Sequence, residues 1–302
     1  MKKLTLSLVI LFSLFSFAYS QTADEYSKRG TEAYESGNYE DAIKLFSKAI
    51  EINPNLAKAY SNRADAYLNL ENYNKAISDF SKAIEIDPNY TEAYYNRGDV
   101  YYFMKEYSKA ISDYDKVIEI APYFADAFYN RGVAYDDLKE YSKAISDFTK
   151  AISIKTDYYD AYLYRGISYT KNNDYLNART DYLKSIELNS TEYIAYSSLG
   201  WNYFNSKDYV LSISYFCKAL SIQKNNKDIL IGLSLSYFSN NEKVKGRETI
   251  NNLINLEPEF KRGMLGLKKL EDEGSFYSNE EKQKIKNLLD YYGYKTDTSI
   301  SK

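Results

Sequence analysis

Residues 91–124 read TEAYYNRGDVYYFMKEYSKAISDYDKVIEIAPYF, and residues 125–158 repeat the pattern as ADAFYNRGVAYDDLKEYSKAISDFTKAISIKTDY. Both segments carry an aromatic ring at position 4, Asn-Arg-Gly at positions 6 to 8, and Tyr-Ser-Lys-Ala-Ile-Ser-Asp at positions 17 to 23. Apolar residues recur at helical spacing on each side of a short polar break, which predicts two helices joined by a tight turn. A fixed internal period of this kind is typical of proteins built by stacking one structural unit.

The 34-residue period extends over residues 23–260 without an insertion or a deletion, so we define seven repeats. Repeats 1 to 7 are 23–56, 57–90, 91–124, 125–158, 159–192, 193–226 and 227–260. All four prolines occupy position 32 of a repeat: Pro54, Pro88, Pro122 and Pro258. Repeat 7 is degenerate, because Leu230, Lys243 and Ile250 replace aromatic residues, as is common in a terminal unit.

The repeated residues alternate in size in a way that predicts a closely packed core. Positions 4, 8 and 11 share one helix face, where a small residue at position 8 lies between two aromatic positions. Small residues at positions 8 and 20 let two helices approach closely, and an aromatic ring at position 24 fills the remaining space. Positions 4, 11, 17 and 24 hold 19 of the 35 tyrosines, so the tyrosine content indicates core packing and not a nucleobase-stacking surface.

This alternation of large and small residues resembles the tetratricopeptide repeat family. The resemblance implies an all-α, right-handed superhelical solenoid of helix–turn–helix repeats, with the first helix of each repeat lining a concave groove. Positions 2, 5, 6, 9, 12 and 13 of the first helix are then expected to face that groove.

Arginine recurs at position 7 and aspartate at position 23 of the same repeats. Four repeats carry both residues, and the pairs are Arg63 with Asp79, Arg97 with Asp113, Arg131 with Asp147 and Arg165 with Asp181. We predict a partly buried, structural ion pair that joins the two helices of each such repeat.

The N-terminus has the pattern of an export signal. Lys2 and Lys3 precede an apolar run over residues 4–17, and Ala18-Tyr19-Ser20 offers small residues before a cleavage point near Ser20. An uncleaved membrane anchor is the alternative, although the run is shorter than the ~20 residues of a spanning helix. We therefore expect a periplasmic or secreted protein with a signal peptide at residues 1–20 and no stable membrane span.

Composition limits the chemistry and the partners of the exported chain. Loss of residues 1–20 leaves 37 basic against 42 acidic side chains, a net charge of −5, which disfavours nucleic-acid binding. The chain has no histidine, and its one cysteine, Cys217, cannot form an internal disulfide. The sequence shows no phosphate-binding loop, metal-ligand cluster or nucleophile–base pair, so we predict neither a cofactor nor an enzyme.

Residues 261–292 are expected to form capping helices, with a capping box at Ser278 and Glu281, and residues 293–302 a disordered tail.

Three sets of side chains are candidates for the groove. The asparagines at position 6, Asn62, Asn96 and Asn130, could bind a peptide backbone, since a carboxamide both donates and accepts, but Asn-Arg is also a common filler in such repeats. Large rings typical of binding hot spots form two patches, Tyr95, Tyr129, Tyr102 and Phe103 in repeats 3 and 4, and Trp201 with Phe204 in repeat 6. These rings could instead pack half-buried along a neighbouring helix.

Acidic side chains form the third set and favour a neutral or basic partner, although acids near a helix start also stabilise the helix dipole. They are Asp24, Glu92, Asp126, Asp160 and Asp228 at position 2, Asp65 and Asp99 at position 9, and Asp136 and Asp137.

The leading hypothesis is a non-enzymatic scaffold or adaptor that holds a peptide segment or a partner helix in its groove. The alternative is a structural assembly factor that stacks with itself or with envelope complexes.

Overall fold

A computed structural model describes residues 22–256, residue 258 and residues 279–292. The first helix, α1, covers residues 22–35. The helices that follow in chain order are α2 (Tyr39–Ile52), α3 (Ala57–Asn69), α4 (Tyr73–Ile86), α5 (Thr91–Phe103), α6 (Tyr107–Ile120), α7 (Ala125–Asp137), α8 (Tyr141–Ile154), α9 (Tyr159–Lys171), α10 (Tyr175–Leu188), α11 (Tyr193–Asn205), α12 (Tyr209–Ile222), α13 (Lys227–Ser239), α14 (Lys243–Leu256) and α15 (Asn279–Tyr291). The predicted signal (1–20), residues 261–278 of the predicted capping region, which include Ser278 of the capping box, and the predicted tail (293–302) lie outside what is described.

The chain divides into two compact units, Met1–Ile154 and Lys155–Lys302. In the first unit each helix from α2 to α8 packs on the next, and the first helices of repeats 3 and 4, α5 and α7, also touch. In the second unit α9 to α14 pack in the same order, the first helices α9, α11 and α13 touch in sequence, and α15 packs on α13. The described ranges contain no strand. The prediction of an all-α helical solenoid is confirmed.

The turn between the two helices of a repeat depends on one residue at position 15 with a left-handed backbone. Repeat 1 has Gly37 there at φ 76°, whereas repeat 4 has Lys139 at φ 63°. In repeat 4 the Lys139 amide donates to the Asp136 carbonyl at 2.9 Å and the Glu140 amide to the Tyr135 carbonyl at 2.8 Å. This pair of bonds is a Schellman motif, which satisfies the last carbonyls of the first helix and starts the second helix at position 17.

The predicted core packing is confirmed by the contact between positions 8 and 24. A Cβ added to Gly98 would lie 2.8 Å from Cε1 of Tyr114, and one added to Gly132 would lie 2.9 Å from Cε1 of Phe148. These distances are below van der Waals contact, so the ring lies directly against the helix backbone. The rings of Tyr114 and Phe148 are buried, which sets the separation of the two helices in each repeat.

The predicted arginine–aspartate pairs are also confirmed. Arg97 donates through Nε and Nη2 to the two carboxylate oxygens of Asp113 at 2.8 and 2.7 Å. Its third nitrogen, Nη1, donates to Ser81 Oγ of the preceding repeat at 2.8 Å. The guanidinium therefore joins three helices, α4, α5 and α6. Equivalent pairs occur in repeats 2, 4 and 5.

No helix in the described part of the chain is long and apolar enough to cross a membrane.

Candidate peptide groove

The three asparagines at position 6 each link their helix to the preceding first helix. The Nδ2 group of Asn96 donates to Asp65 Oδ1 at 3.1 Å, and that of Asn130 donates to Asp99 Oδ1 at 2.9 Å. Asn62 makes a longer bond of 3.4 Å to Thr31 Oγ1. A carboxylate oxygen only accepts, so the amide nitrogens of Asn96 and Asn130 face the aspartates. Within the described residues no donor bonds to the three amide oxygens, and the three asparagine side chains are half-buried.

The aspartates that accept these bonds have perturbed pKa values. Burial, together with the negative charge of Glu92, raises the pKa of Asp65 to about 6, and the bond from Asn96 only partly opposes the shift. Burial also raises the pKa of Asp99, against the bonds it accepts from Tyr114 and Asn130. Desolvation disfavours the charged carboxylate. The groove of repeats 2 and 3 thus holds two carboxyls for which the described residues supply no cationic partner.

Tyr95 belongs to the same network as the asparagines. Its hydroxyl accepts from Asn130 Nδ2 at 2.9 Å, and its ring packs 5.0 Å from Phe124 and 6.1 Å from Tyr114. Burial and the nearby Asp99 raise the pKa of the Tyr95 hydroxyl above its ordinary value. Tyr95 is therefore half-buried and fixed in place, so it can offer a ligand one face of a rigid ring.

The other three rings of this patch differ in exposure. Phe103 is 65% exposed, with its ring 5.0 Å from that of Tyr73. Tyr102 is half-buried and donates to Asp137 Oδ2 at 2.7 Å. Tyr129 is also half-buried, with its ring 5.8 Å from Phe148. Phe103 is thus the most accessible aromatic side chain of the patch.

The expectation of a second exposed patch in repeat 6 is wrong for Phe204. Phe204 is 2% exposed and lies in a core cluster with Leu235 of α13 and Leu288 of α15. Trp201 is partly buried, with its ring edge-on to Phe204 at 5.7 Å and to Phe216 at 5.4 Å. The sequence pattern could not reveal this burial, because the cover comes from α15, about 80 residues further along the chain.

The C-terminal helix α15 covers the groove-facing positions of repeats 6 and 7. Lys284 of α15 lies 5.0 Å above the Phe204 ring, and Phe238, the position-12 residue of repeat 7, packs 4.9 Å from Tyr291. Tyr292 donates to the Lys243 carbonyl at 2.9 Å. The face of repeats 6 and 7 that would meet a ligand therefore already holds a helix of the chain itself.

Two features of the groove went unrecognised in the sequence. Asp65 and Asp99 accept hydrogen bonds from the asparagines of the following repeat. The sequence pattern that could have indicated these bonds is the constant 31-residue spacing between position 9 of one repeat and position 6 of the next. Asp136, one of the predicted acidic residues, is buried and only 7% exposed. Among the described residues no group of three or more His, Cys, Asp or Glu side chains is arranged to hold a metal ion.

Helix pairs stacked at a constant period, with side chains of successive first helices joined across one face, define an all-α repeat scaffold. Models of the tetratricopeptide repeat match residues 57–90, 91–124, 125–158 and 193–226, and a related repeat model matches residues 30–71. Together these matches cover more than half of the 302 residues. The chain belongs to the tetratricopeptide repeat family, whose fold is typical of scaffolds for protein–protein interaction.

Solved structures provide further comparisons. The crystal structure of MamA protein is 27% identical with a TM-score of 0.53, and the match covers 57% of this chain and 93% of that chain. YrrB, described as a tetratricopeptide protein with an unusual peptide-binding site, is 23% identical (TM-score 0.55, 61% and 95% coverage). A repeat-containing protein from Cytophaga hutchinsonii is 22% identical (TM-score 0.66, 80% and 98% coverage). The last two show the fold alone. No curated protein sequence matches this chain.

Proposed function

We propose that the protein is an exported, non-enzymatic adaptor that holds an extended peptide segment of a neutral or basic partner along the first helices of repeats 1 to 4. The observation that carries the proposal is the asparagine row. Three carboxamides at the same position of α3, α5 and α7 are held by neighbouring helices through their nitrogens, and no described donor occupies their oxygens, which supports their use as acceptors for a peptide N–H.

A fixed row of carboxamides is suited to binding a backbone without reading its sequence. Because each amide nitrogen is already bonded to the preceding helix, its oxygen is oriented before a ligand arrives, which lowers the entropy cost of binding. Beside this row, Phe103 supplies an exposed ring and Tyr95 a rigid one, as in the aromatic contacts of binding hot spots. The acidic side chains of the same face favour a partner without excess negative charge.

Photo-crosslinking in the groove tests the proposal. A benzoylphenylalanine at position 103 is expected to crosslink a partner segment in an envelope extract, and mass spectrometry then identifies that segment. The same amino acid at position 150, an exposed position on α8, provides the control for random contact.

Affinity for the identified segment gives the decisive measurement. The double variant Asn96→Ala/Asn130→Ala is expected to bind it at least about tenfold more weakly, because two amide oxygens are lost. The matched control is Asn74→Ala/Asn89→Ala, at two exposed asparagines that make no side-chain bond within the described residues. If the two double variants bind the segment with equal affinity and unchanged helicity, the proposal that the asparagine row binds the peptide is rejected.

A second candidate function, self-assembly, is favoured by an apolar row on the second helices of repeats 5 to 7. Leu176, Val210 and Val244 all occupy position 18 and are 73%, 65% and 73% exposed. The same position is polar in repeats 1 to 4, as Glu40, Asn74, Ser108 and Ser142. Exposed apolar side chains in a row are typical of interaction surfaces.

Sizing chromatography across a range of concentrations distinguishes the two functions. A concentration-dependent oligomer that becomes monomeric in Leu176→Ser/Val210→Ser/Val244→Ser supports assembly. If the protein is a monomer at all concentrations, self-assembly is excluded and the adaptor function remains.

A further inference from the structure

A cleft opens between the first helices of repeats 1 and 2, at one end of the proposed peptide groove. It has a volume of about 190 Å³ and is lined by Thr31, Tyr34, Glu35, Phe46, Asn62 and Asp65. Clefts that hold whole small molecules are larger, at ~300–1,000 Å³, so this one has room for a single long side chain.

One wall of the cleft is aromatic and rigid. Phe46 borders the cleft as the core ring of repeat 1 but is fully buried, so Tyr34 is the ring that a ligand can contact. The Tyr34 hydroxyl accepts from Asn69 Nδ2 at 3.0 Å, and the Tyr34 ring lies 5.4 Å from the Tyr39 ring in an edge-to-face contact. Aromatic walls pack well against the methylene groups of a lysine or arginine, and their π faces attract its charge.

The rim of the cleft carries two carboxylates, Glu35 and Asp65, that form no ion pair with the described residues. Asp65 accepts one side-chain bond, from Asn96 to Oδ1, and no described side chain donates to its Oδ2. Glu35 is exposed at the end of α1. No lysine or arginine within residues 22–154 forms an ion pair with either carboxylate. Burial and the charge of Glu92 raise the pKa of Asp65, as expected for a carboxyl that lacks an opposite charge.

The next two junctions in the same unit do not combine these features. Between repeats 2 and 3, the residues at positions 12 and 13 are Leu68 and Asn69, so the junction lacks both the phenol and the outer carboxylate. Between repeats 3 and 4, the available carboxyl is that of Asp99, whose Oδ1 already accepts from Tyr114 at 2.6 Å and from Asn130 at 2.9 Å. An aromatic wall with two such carboxylates is therefore particular to the junction of repeats 1 and 2 within residues 22–154.

We propose that this cleft binds the side chain of a lysine or arginine in the bound peptide, with its stem against Tyr34 and its cation between Glu35 and Asp65. The inference rests on the proposed groove and adds a specificity site to it. The asparagine row would bind any backbone, whereas the cleft would set the register by one basic residue.

Two peptides that differ by a single charge test the cleft. The probes are acetyl-Ala-Ala-Arg-Ala-Ala-amide and the same peptide with citrulline, which keeps the shape of arginine and lacks its charge. Saturation-transfer NMR titrations give the dissociation constant of each peptide for the full chain. We expect the arginine peptide to bind at least about fivefold more tightly, and the advantage to shrink as salt is raised.

Charge-neutral variants locate the effect. Glu35→Gln/Asp65→Asn is expected to remove the advantage of arginine over citrulline. The amide oxygen that replaces the Asp65 carboxylate can still accept from Asn96, so the helices should stay joined. Glu51→Gln, an exposed change on α2 away from the cleft, is the matched control and should keep the advantage. Circular dichroism verifies the fold of each variant.

Any of three results overturns the cleft assignment. These are equal affinity of the two peptides, no binding of either peptide at millimolar concentration, and an advantage of arginine over citrulline that persists in Glu35→Gln/Asp65→Asn. The outcome is separable from that of the proposed function. Crosslinking at position 103, together with loss of affinity in Asn96→Ala/Asn130→Ala, would support peptide binding in the groove even if the cleft shows no preference for arginine. A preference for the arginine peptide that is lost in Glu35→Gln/Asp65→Asn would support the cleft even if no crosslink forms at position 103.

Discussion

Removal of one buried carboxylate, in Asp113→Asn, tests the ion pair that joins the two helices of repeat 3. Asp113 is 5% exposed, and the Arg97 side chain is 17% exposed. The substitution removes the negative charge and one of the two oxygens that accept from Arg97 at 2.7 and 2.8 Å. It leaves a guanidinium that is largely withdrawn from water and lacks its counter-charge.

The expected loss follows from the burial of the pair. Breaking a buried ion pair from one side costs about 3–5 kcal/mol. Arg97 keeps its bond to Ser81 and its contacts with the Tyr94 and Tyr101 rings, and the new amide oxygen keeps one acceptor, so we expect about 2–3 kcal/mol. With a urea dependence of about 2 kcal/mol/M, the unfolding midpoint should fall by about 1–1.5 M.

Urea unfolding followed by circular dichroism provides the measurement, and Asp115→Asn provides the control. Asp115 lies on the same helix and accepts from Arg131 at 2.6 Å, but its side chain is 52% exposed. A pair with one exposed partner contributes ~0.2–1 kcal/mol, so the unfolding midpoint of Asp115→Asn should fall by about 0.5 M or less. Hydrogen exchange should report the Asp113→Asn loss first in α5 and α6, because a repeat contacts only its neighbours.

Equal midpoints for the two variants would refute the assigned role of the pair. The double variant Arg97→Met/Asp113→Leu adds a separate check. If the cost of Asp113→Asn comes from the stranded guanidinium, an apolar pair of similar volume should recover much of the lost stability. A double variant no more stable than Asp113→Asn would place the cost elsewhere, in the shape of the site.

Two further predictions concern single positions. Asp65→Asn should raise the free energy of unfolding by about 1–2 kcal/mol at pH 7, because burial and the charge of Glu92 raise the folded-state pKa of Asp65 to about 6. That gain should shrink as the pH falls through 6 and vanish below about 4, where the wild-type carboxyl is protonated in both states; equal gains at pH 7 and pH 4 in urea titrations contradict the reasoning. Lys139→Gly should raise stability by about 0.5–1 kcal/mol, since glycine relieves the left-handed backbone at φ 63°. The same change at Lys150, inside α8, should lower stability by about 1 kcal/mol, and a gain there would point to another cause.

The packing of the repeats could be predicted from the sequence because its physical causes recur every 34 residues. A missing Cβ at Gly98 and a ring at Tyr114 are complementary within one repeat, so their spacing alone indicates the contact. The same holds for Arg97 and Asp113, which are 16 residues apart and always occur together after repeat 1. Contacts within a repeat are local in the chain, and a periodic sequence displays them several times over.

The groove was harder to predict because its contacts cross between repeats. The bond from Asn96 to Asp65 depends on how two first helices stack, and the position-6 asparagine alone does not reveal its acceptor. Phe204 was placed in the groove by its position in the repeat, but the non-repeating helix α15 covers it. A periodic pattern cannot anticipate the contacts of a segment that lies outside the period.

The cover provided by α15 has a consequence for the limits of the folding unit. Ile285, Leu288 and Leu289 are fully buried against apolar side chains of α13 and α14. A fragment that stops at residue 260, where the last repeat ends, would leave this surface in water and lose several large apolar burials of about 1.5–3 kcal/mol each. The shortest well-behaved fragment should therefore extend through Tyr292, and a truncation chosen from repeat boundaries would aggregate.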